Sequence, residues 1–323
     1  MPLASTYFVK PLRGTRLAQS RPPVMKKRRA ILILNPRAGR GNSERRAREV
    51  SLFSERLSAA SVDVEVVETT APNDATRLAN DAANSGVEDV IVCGGDGTIN
   101  EALQGLVGSR ARLGIWPRGT ANVMAHELAL PTSAEKVGEI IARGRTRRVH
   151  IGRATLEATG QQRYFFLMAG VGLDASIVRG VRPRLKRRFG EGAFWYSGIE
   201  HLLRWPALSP FNAEIDGENF GATFAVIGNG ASYGGKLAIT PRARLDKREF
   251  EVCLVDSSSR FRYLHLLGKS MRGGVEEKAG SVRYINTTRL RVVGDAPVQV
   301  DGELIGALPM TFEIAPETID VLA

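Results

Sequence analysis

The stretch Val90-Ile91-Val92-Cys93-Gly94-Gly95-Asp96-Gly97-Thr98-Ile99-Asn100-Glu101 constrains this chain more than any other. An apolar run of strand length leads into closely spaced glycines, which let the backbone turn sharply and approach a ligand closely. Thr98 and Glu101 have the spacing of a capping box, so a helix is expected to open here. Its free N–H groups and positive dipole end face whatever occupies the loop, which favours phosphate. Asp96 is a carboxylate where anion binding alone would not want one, and a Mg²⁺ ion between it and the phosphates resolves that conflict. The plainer alternative is a tight turn with a solvent-facing Asp.

The surrounding sequence repeats the pattern. Ala30–Leu34 reads as a buried strand, and residues 43–60 as a helix with Ala47, Val50, Phe53 and Leu57 on one face. Val62–Val67 is a second strand, followed by a helix from about Asn73, whose side chain can cap it. Val90–Cys93 and Leu113–Trp116 follow as strands three and four, each leading through a Gly-Thr turn into a helix. Alternation of this kind predicts a mostly parallel sheet covered on both faces, with ligands at the carboxyl ends of its strands. Two further polar turns fall at that end. One is Asn35-Pro36-Arg37-Ala38-Gly39-Arg40-Gly41; the other is Pro117-Arg118-Gly119-Thr120-Ala121-Asn122, where Thr120 can cap a helix and Arg118 offers a fixed charge. Together the three turns make a nucleotide cradle.

From about residue 148 strand-like runs dominate: Tyr164–Met168, Ala222–Ile227, Phe250–Val255, Arg289–Val293, Val298–Val300 and Met310–Ile314. Two helical stretches interrupt them, near 185–204 and 260–271. The expected organisation is a basic flexible tail (1–29), an α/β Rossmann-like nucleotide-binding domain (30–148) and a mainly antiparallel β-sandwich (149–323), with the active site in the cleft between the domains. Asp216-Gly217-Glu218 and Asp301-Gly302-Glu303 are look-alike tripeptides within the second half.

Composition narrows the class. With 323 residues, 43% hydrophobic and 24% charged, the chain suits two globular domains and excludes wholesale disorder, collagen and a disulfide mini-scaffold. Its apolar runs fall short of the roughly 18–20 residues a transmembrane helix needs, so a soluble protein is expected. The net charge of +11 is concentrated at the start: Lys10, Arg13, Arg16, Arg21, Lys26, Lys27, Arg28 and Arg29 occur without an acid. That segment reads as a solvated extension or a start that belongs at Met25, and it also fits a transit peptide loosely; a basic tail can bind anionic membrane or nucleic acid. Two cysteines, Cys93 and Cys253, form no metal spacing, and no signal peptide is evident, so a reducing cytosol is the expectation.

Competing motifs fail. Gly268-Lys269-Ser270 has Tyr263 where a P-loop needs its first glycine, and Gly170-Val171-Gly172 imitates a dinucleotide fingerprint outside any βαβ setting. His126-Glu127 lacks the second histidine of a zinc helix. The four histidines, His126, His150, His201 and His265, are scattered and read as structural.

Gly94-Gly95-Asp96-Gly97-Thr98, the upstream Asn35-Pro36-x-Ala38-Gly39, Pro117-x-Gly119-Thr120-Ala121-Asn122, Gly170-x-Gly172-x-Asp174-Ala175 and Asp301-Gly302-Glu303 occur in an order that resembles the diacylglycerol kinase catalytic-domain family, which includes bacterial lipid kinases and sphingosine kinases. The resemblance spans roughly residues 30–320. It implies ATP, Mg²⁺ and transfer of the γ-phosphoryl group to a lipid hydroxyl. It implies nucleotide contacts at Asn35, Thr69, Gly94, Gly95, Asp96, Gly97, Thr98, Ile99, Asn100, Thr120 and Asn122, with Asp96 meeting the catalytic Mg²⁺ through water. Asp301 and Glu303 match the catalytic carboxylate motif, alongside Asp96. An alcohol is a weak nucleophile, and a carboxylate placed to accept its proton helps as charge develops. Either Asp301 or Glu303 can be that base; the plain reading is a hairpin turn with two exposed acids.

This sequence departs from the family at Asp246-Lys247-Arg248, where relatives carry Asp-Asp-Gly and bind a structural Mg²⁺ through the second Asp. Lys247 in that position implies that the site is lost and that its ammonium partly replaces the charge. Val123 stands where many relatives have Asp, so no polar role belongs there.

Arg179, Arg182, Arg184, Lys186, Arg187 and Arg188 precede Phe194, Trp195, Tyr196 and Trp205, either as an interfacial element or as a solvated charge run beside a core helix. The expectation is a cytoplasmic, transiently membrane-associated lipid kinase without a nucleic-acid partner. The alternatives are an NAD kinase-like soluble kinase and a non-catalytic nucleotide- or lipid-binding regulator.

Overall fold

The computed structural model of the chain describes residues 27–39, 42–172, 209–232, 238–257, 259 and 282–323. Residues 1–26 of the expected tail, Asp174, the basic and aromatic stretches between Arg179 and Trp205, and the helix expected near 260–271 lie outside them, whereas Arg28 and Arg29, expected in the tail, open the first strand.

The first half is β1 (Arg28–Leu34), α1 (Ser43–Ala59), β2 (Val62–Glu68), α2 (Asp74–Asn84), β3 (Asp89–Gly94), α3 (Asp96–Leu106), β4 (Arg112–Pro117), α4 (Val123–Glu127) and α5 (Ala134–Arg143). The parallel strands run in the order β2-β1-β3-β4. The chain leaves β1 toward β2 on one side and returns to β3 on the other, so the loops after β1 and β3 part at a crevice above the sheet. Alternate side chains of these strands enter two cores. Ala30, Leu32, Leu34, Ile91, Cys93 and Trp116 meet Phe53 and Leu57 of α1 and Val137 and Ile141 of α5. Ile31, Ile33, Val90, Val92, Leu113 and Ile115 meet α2 and α3 on the opposite face. Each Val, Leu, Ile or Phe among them, fully buried, contributes about 1.5–3 kcal/mol. The helical face of α1 is Val50, Phe53 and Leu57, whereas Ala47 is exposed.

At the opposite edge from the loops, Asp89 is fully buried between Arg28, at 2.7 Å, and Arg112, at 2.6 Å. One carboxylate thereby ties together the starts of three neighbouring strands.

The second half contributes β5 (Thr146–Leu156), β6 (Gln162–Phe165), β7 (Met168–Gly172), β8 (Phe211–Ile215), β9 (Glu218–Ala222), β10 (Phe224–Gly228), β11 (Phe250–Val255), β12 (Val282–Thr287), β13 (Arg289–Gly294), β14 (Pro297–Val300), β15 (Glu303–Ala307) and β16 (Met310–Leu322). A six-stranded antiparallel sheet runs β12-β11-β10-β7-β14-β15. Its inner face packs on β5, β8, β13 and β16 through Phe165, Val171, Phe211, Phe250, Val298, Met310 and Phe312. Gly152 makes room there, since a Cβ at that position would lie 2.1 Å from the Phe165 ring. Met168, Val226 and Cys253 point the other way, into the core shared with α3 and α4.

The expected architecture, an α/β parallel-sheet domain followed by an antiparallel β-sandwich, is the one observed. β16 is longer than its predicted Met310–Ile314. It continues to Leu322, pairing with β5 on both sides of an irregularity between Ile314 and Thr318 and reaching β4 at Val321–Leu113, so the last strand joins the first sheet.

Candidate active site

The loops after β1, β3 and β4 pack against each other. Asn35 donates from Nδ2 to Thr98 Oγ1 at 2.9 Å, and its N–H reaches the Cys93 carbonyl at 2.9 Å. Arg118 N–H reaches the Gly94 carbonyl at 2.8 Å. Gly95 and Gly119 touch backbone to backbone, since a Cβ on Gly119 would lie 2.6 Å from the Gly95 Cα. Thr69 N–H bonds the Leu34 carbonyl at 2.9 Å, which fixes the end of β2 beside the same loops. Asn35, Thr69, Gly94–Asn100, Thr120 and Asn122 are thus carried on the strand-end loops and the first turns of α3 and α4.

Local details differ from expectation. Helix α3 starts at Asp96 with Gly95 as its cap, three residues before the predicted cap Thr98, whose hydroxyl is taken by Asn35. Thr120 does not cap α4. Asn122 holds the cap position in a left-handed conformation without a side-chain cap hydrogen bond, its amide closed on Gly119, accepting from N–H at 2.7 Å and donating to the carbonyl at 3.0 Å. Asn73 is likewise left-handed and makes no side-chain cap; Asp74 instead gathers the Thr70 and Ala71 N–H groups. The Asp96 carboxylate accepts from Met124 N–H at 3.2 Å, joining the β3 loop to the start of α4, and burial pushes its pKa up against that hydrogen bonding.

Sequence reasoning missed Glu49. Its carboxylate on α1 pairs with Arg118, whose guanidinium lies 5.8 Å over the Trp116 ring. The fixed charge of Arg118 is therefore shared with a neighbouring acid.

Asp301-Gly302-Glu303 closes the β14–β15 hairpin. Both oxygens of the Asp301 carboxylate are fully engaged. Oδ1 accepts from Leu167 N–H at 2.9 Å and Met168 N–H at 3.0 Å; Oδ2 accepts from Phe166 N–H at 2.8 Å and Asn100 Nδ2 at 2.9 Å. Enclosure of the carboxyl pushes its pKa up, opposed by these bonds. Glu303 is different in kind. Its side chain is 56% exposed and its Oε2 meets Arg163 Nη2 at 2.5 Å. The two acids do not share a strand face, because the turn lies between them.

Asn100 joins these groups to α3. It is 3% exposed, and its Oδ1 accepts from Arg163 Nη2 at 3.1 Å while its Nδ2 bonds Asp301. Two further polar groups, one buried and one half-buried, escaped the sequence reading. Asn229, between two glycines, donates to the carbonyls of His150 and Phe166 at 2.8 and 2.6 Å. Glu127 accepts from the N–H groups of Ala231 and Ser232 at 3.1 and 2.9 Å. The flanking glycines marked Asn229 as backbone approached closely; nothing local marked Arg163 or Glu127.

Lys247 sits at the surface with its ammonium 3.5 Å from Glu249, and Asp246 pairs with Arg244 at 2.9 Å. The segment is held by Glu251, 2% exposed, which accepts from Arg242 N–H and Nε, both at 2.7 Å, and from Ala243 N–H at 3.2 Å. Among the described residues no group of three His, Cys, Asp or Glu side chains suited to a metal occurs.

A family model described as the diacylglycerol kinase catalytic domain matches residues 29–154, and one described as the YegS C-terminal NAD kinase beta sandwich-like domain matches residues 168–323. A diacylglycerol kinase of Mycobacterium tuberculosis is 32% identical over 298 residues, covering 90% of this chain and 93% of that protein. The chain belongs to the diacylglycerol kinase family. A second family member, the diacylglycerol kinase of Staphylococcus carnosus, is 29% identical over 306 residues, covering 91% of this chain and 95% of its own. A crystal structure of a diacylglycerol kinase from Bacillus anthracis shares the fold, with TM-score 0.71, 22% identity and coverage of 92% and 97%. The fold extends to yeast NADH kinase, at TM-score 0.53 and 11% identity, covering 91% of this chain and 83% of that one.

Proposed function

We propose that the protein is a lipid kinase that takes the γ-phosphoryl group of ATP, with Mg²⁺, to the hydroxyl of diacylglycerol or a related lipid alcohol such as a sphingoid base. One observation carries this reading beyond family membership. The Asp301-Gly302-Glu303 turn is hydrogen-bonded through Asn100 to α3, whose first turn follows the glycine loop. A phosphate-binding loop and an acceptor-side carboxylate are then two ends of one connected unit.

In this reading the N–H groups of the Gly94–Thr98 loop and the first turn of α3 take the phosphates, with Asn35, Thr69, Thr120 and Asn122 lining the nucleotide. Asp96 suits Mg²⁺, which is commonly held by one or two carboxylates plus substrate phosphates and keeps several waters. When bound, the ion neutralises phosphate charge. Glu303 accepts the hydroxyl proton. Asp301, with four hydrogen bonds filled, is a positioning residue that fixes the turn. The lipid oxygen bonds to the γ-phosphorus as the bond to the β–γ bridging oxygen breaks; ADP leaves with that electron pair, and the proton passes to Glu303.

A lipid acceptor means work at a bilayer surface, from the aqueous side. None of the described helices is long and apolar enough to cross a membrane.

The test is transfer of labelled γ-phosphate to mixed micelles holding diacylglycerol, sphingosine, ceramide or phosphatidylglycerol, with NAD as a soluble control. A labelled lipid is expected. Label on NAD alone, or ATP binding without transfer to any acceptor, contradicts the reading.

A further inference from the structure

Helix α4 is held at both ends, and the two ends face different halves of the molecule. At its start, Met124 N–H meets Asp96 Oδ1, at the glycine loop, at 3.2 Å. At its end, Glu127 reaches into the second half. Its Oε1 accepts from Ala231 N–H at 3.1 Å and its Oε2 from Ser232 N–H at 2.9 Å. Both N–H groups lie past Gly228, where the pairing of β10 with β7 and β11 stops, so neither belongs to a ladder.

The loop that begins there is gripped in two steps. Asn229 N–H and Gly230 N–H reach the Leu167 carbonyl at 2.8 and 2.9 Å, and the Asn229 side chain donates to the His150 and Phe166 carbonyls. The N–H groups of Phe166, Leu167 and Met168 are the ones that hold Asp301. The first two loop residues are thus fastened to the support of the β14–β15 hairpin, and the next two to α4. Direct contacts then run from the glycine loop through Asp96, α4, Glu127 and residues 229–232 to that hairpin. This route is separate from the one through Asn100 and α3. It is also tightly fitted: a Cβ on Gly230 would lie 3.0 Å from Leu167 Cδ2 and 3.4 Å from Glu127 Cδ.

Docking of α4 does not itself depend on Glu127. Arg147 on β5 donates to the Leu128 carbonyl at 3.3 Å, directly after the helix. Val123, Met124 and Ala125 are buried in the core that also takes Val226 and Cys253. What Glu127 alone does, among the described residues, is set where Ala231 and Ser232 stand relative to the glycine loop. Phosphoryl transfer rewards that, because its catalysis comes mainly from holding donor and acceptor in line.

We propose that Glu127 is a positioning residue for phosphoryl transfer: by holding Ala231 and Ser232 against α4, it sets the spacing between the nucleotide loops and the acceptor half of the site. This rests on the lipid kinase reading and is independent of which acid takes the hydroxyl proton.

The test measures labelled-phosphate transfer to the lipid that the unsubstituted protein labels, using Glu127→Gln, Gly230→Ala and the double variant. Initial rates are taken against both substrates, and calorimetry follows binding of a non-hydrolysable ATP analogue. Glu127→Gln keeps the size of the side chain but turns an NH₂ group toward one of the two N–H donors. It is expected to lower kcat about 10-fold, with KM for ATP and analogue affinity within about two-fold of the unsubstituted protein. Gly230→Ala crowds the same contact and should give the same split, and the double variant should fall no further than the slower single one. A Glu127→Gln protein that folds with kcat within about two-fold overturns the proposal, as do losses that multiply in the double variant. If the unsubstituted protein binds the analogue but labels no lipid, the kinase reading falls and the proposal with it. Should Glu127→Gln not fold, Gly230→Ala decides alone: unchanged kcat in that variant overturns the proposal.

Discussion

Asp216-Gly217 and Asp301-Gly302 are both two-residue hairpin turns with left-handed backbone at each central position. The φ angles are 51° and 84° in the first, 45° and 83° in the second. The strands close identically, pairing Ile215 with Glu218 and Val300 with Glu303. An Asp-Gly pair is what such a turn requires, so the backbone is accounted for locally in both cases. The carboxylates then part company. Asp216 meets the Thr287 hydroxyl at 3.5 Å, the outer limit of a hydrogen bond. Asp301 collects three consecutive N–H groups from Phe166, Leu167 and Met168 and the Asn100 amide. The second hairpin differs through what is packed against it, not through the tripeptide.

Asparagine keeps the turn conformation in both hairpins, so a pair of isosteric variants isolates the carboxylate. Asp301→Asn sets an NH₂ group against backbone N–H donors and should lower stability by about 2–4 kcal/mol. Asp216→Asn should change it by less than about 0.5 kcal/mol. Thermal unfolding followed by circular dichroism reads both, and equal midpoints would dissolve the distinction drawn here.

The sequence and the structure agree where the determinants are local. The apolar run Val90–Cys93, the glycines behind it and the strand Phe250–Val255 are periodic or turn-coded segments, and they form the expected elements. They fail to agree where a distant partner decides. Thr98 looked like a cap, but its hydroxyl belongs to Asn35, 63 residues upstream. The middle of β16 reads Ala315-Pro316-Glu317, with little strand character; it is an irregularity in the β5 pairing, which resumes at Thr318 and carries the strand on to Leu322. The candidate site residues follow the same rule: Asp96, Asp301 and Glu303 sit in or beside turns with a sequence signature. Arg163, Glu49 and Glu127 sit in ordinary strand or helix positions and become visible only through their partners.

Removing Asn100 sharpens the comparison from the other side. Asn100→Ala deletes the link to α3 and should cost about 1–3 kcal/mol while leaving the Asp216 hairpin untouched. Hydrogen exchange should show faster opening of Phe166–Met168 and unchanged protection across β8 and β9. Uniform loosening of both hairpins would mean that the link is not specific.

The smallest effect should be the same in both places. Neither Gly217 nor Gly302 has an atom within 4 Å of a built Cβ, so alanine meets only backbone strain. Gly217→Ala and Gly302→Ala should each cost about 1–2 kcal/mol. Matching shifts in urea unfolding would confirm that the turns are equivalent as backbone; a much larger loss at Gly302 would contradict it.

The most direct measurement is the initial rate of labelled-phosphate transfer to diacylglycerol micelles by Glu303→Gln and Glu218→Gln, each checked for native thermal midpoint. The account predicts a fall of about 10²–10⁴ for Glu303→Gln and an unchanged rate for Glu218→Gln. A Glu303→Gln variant that turns over as fast as its Glu218→Gln counterpart would contradict the assignment of the second hairpin to the reaction.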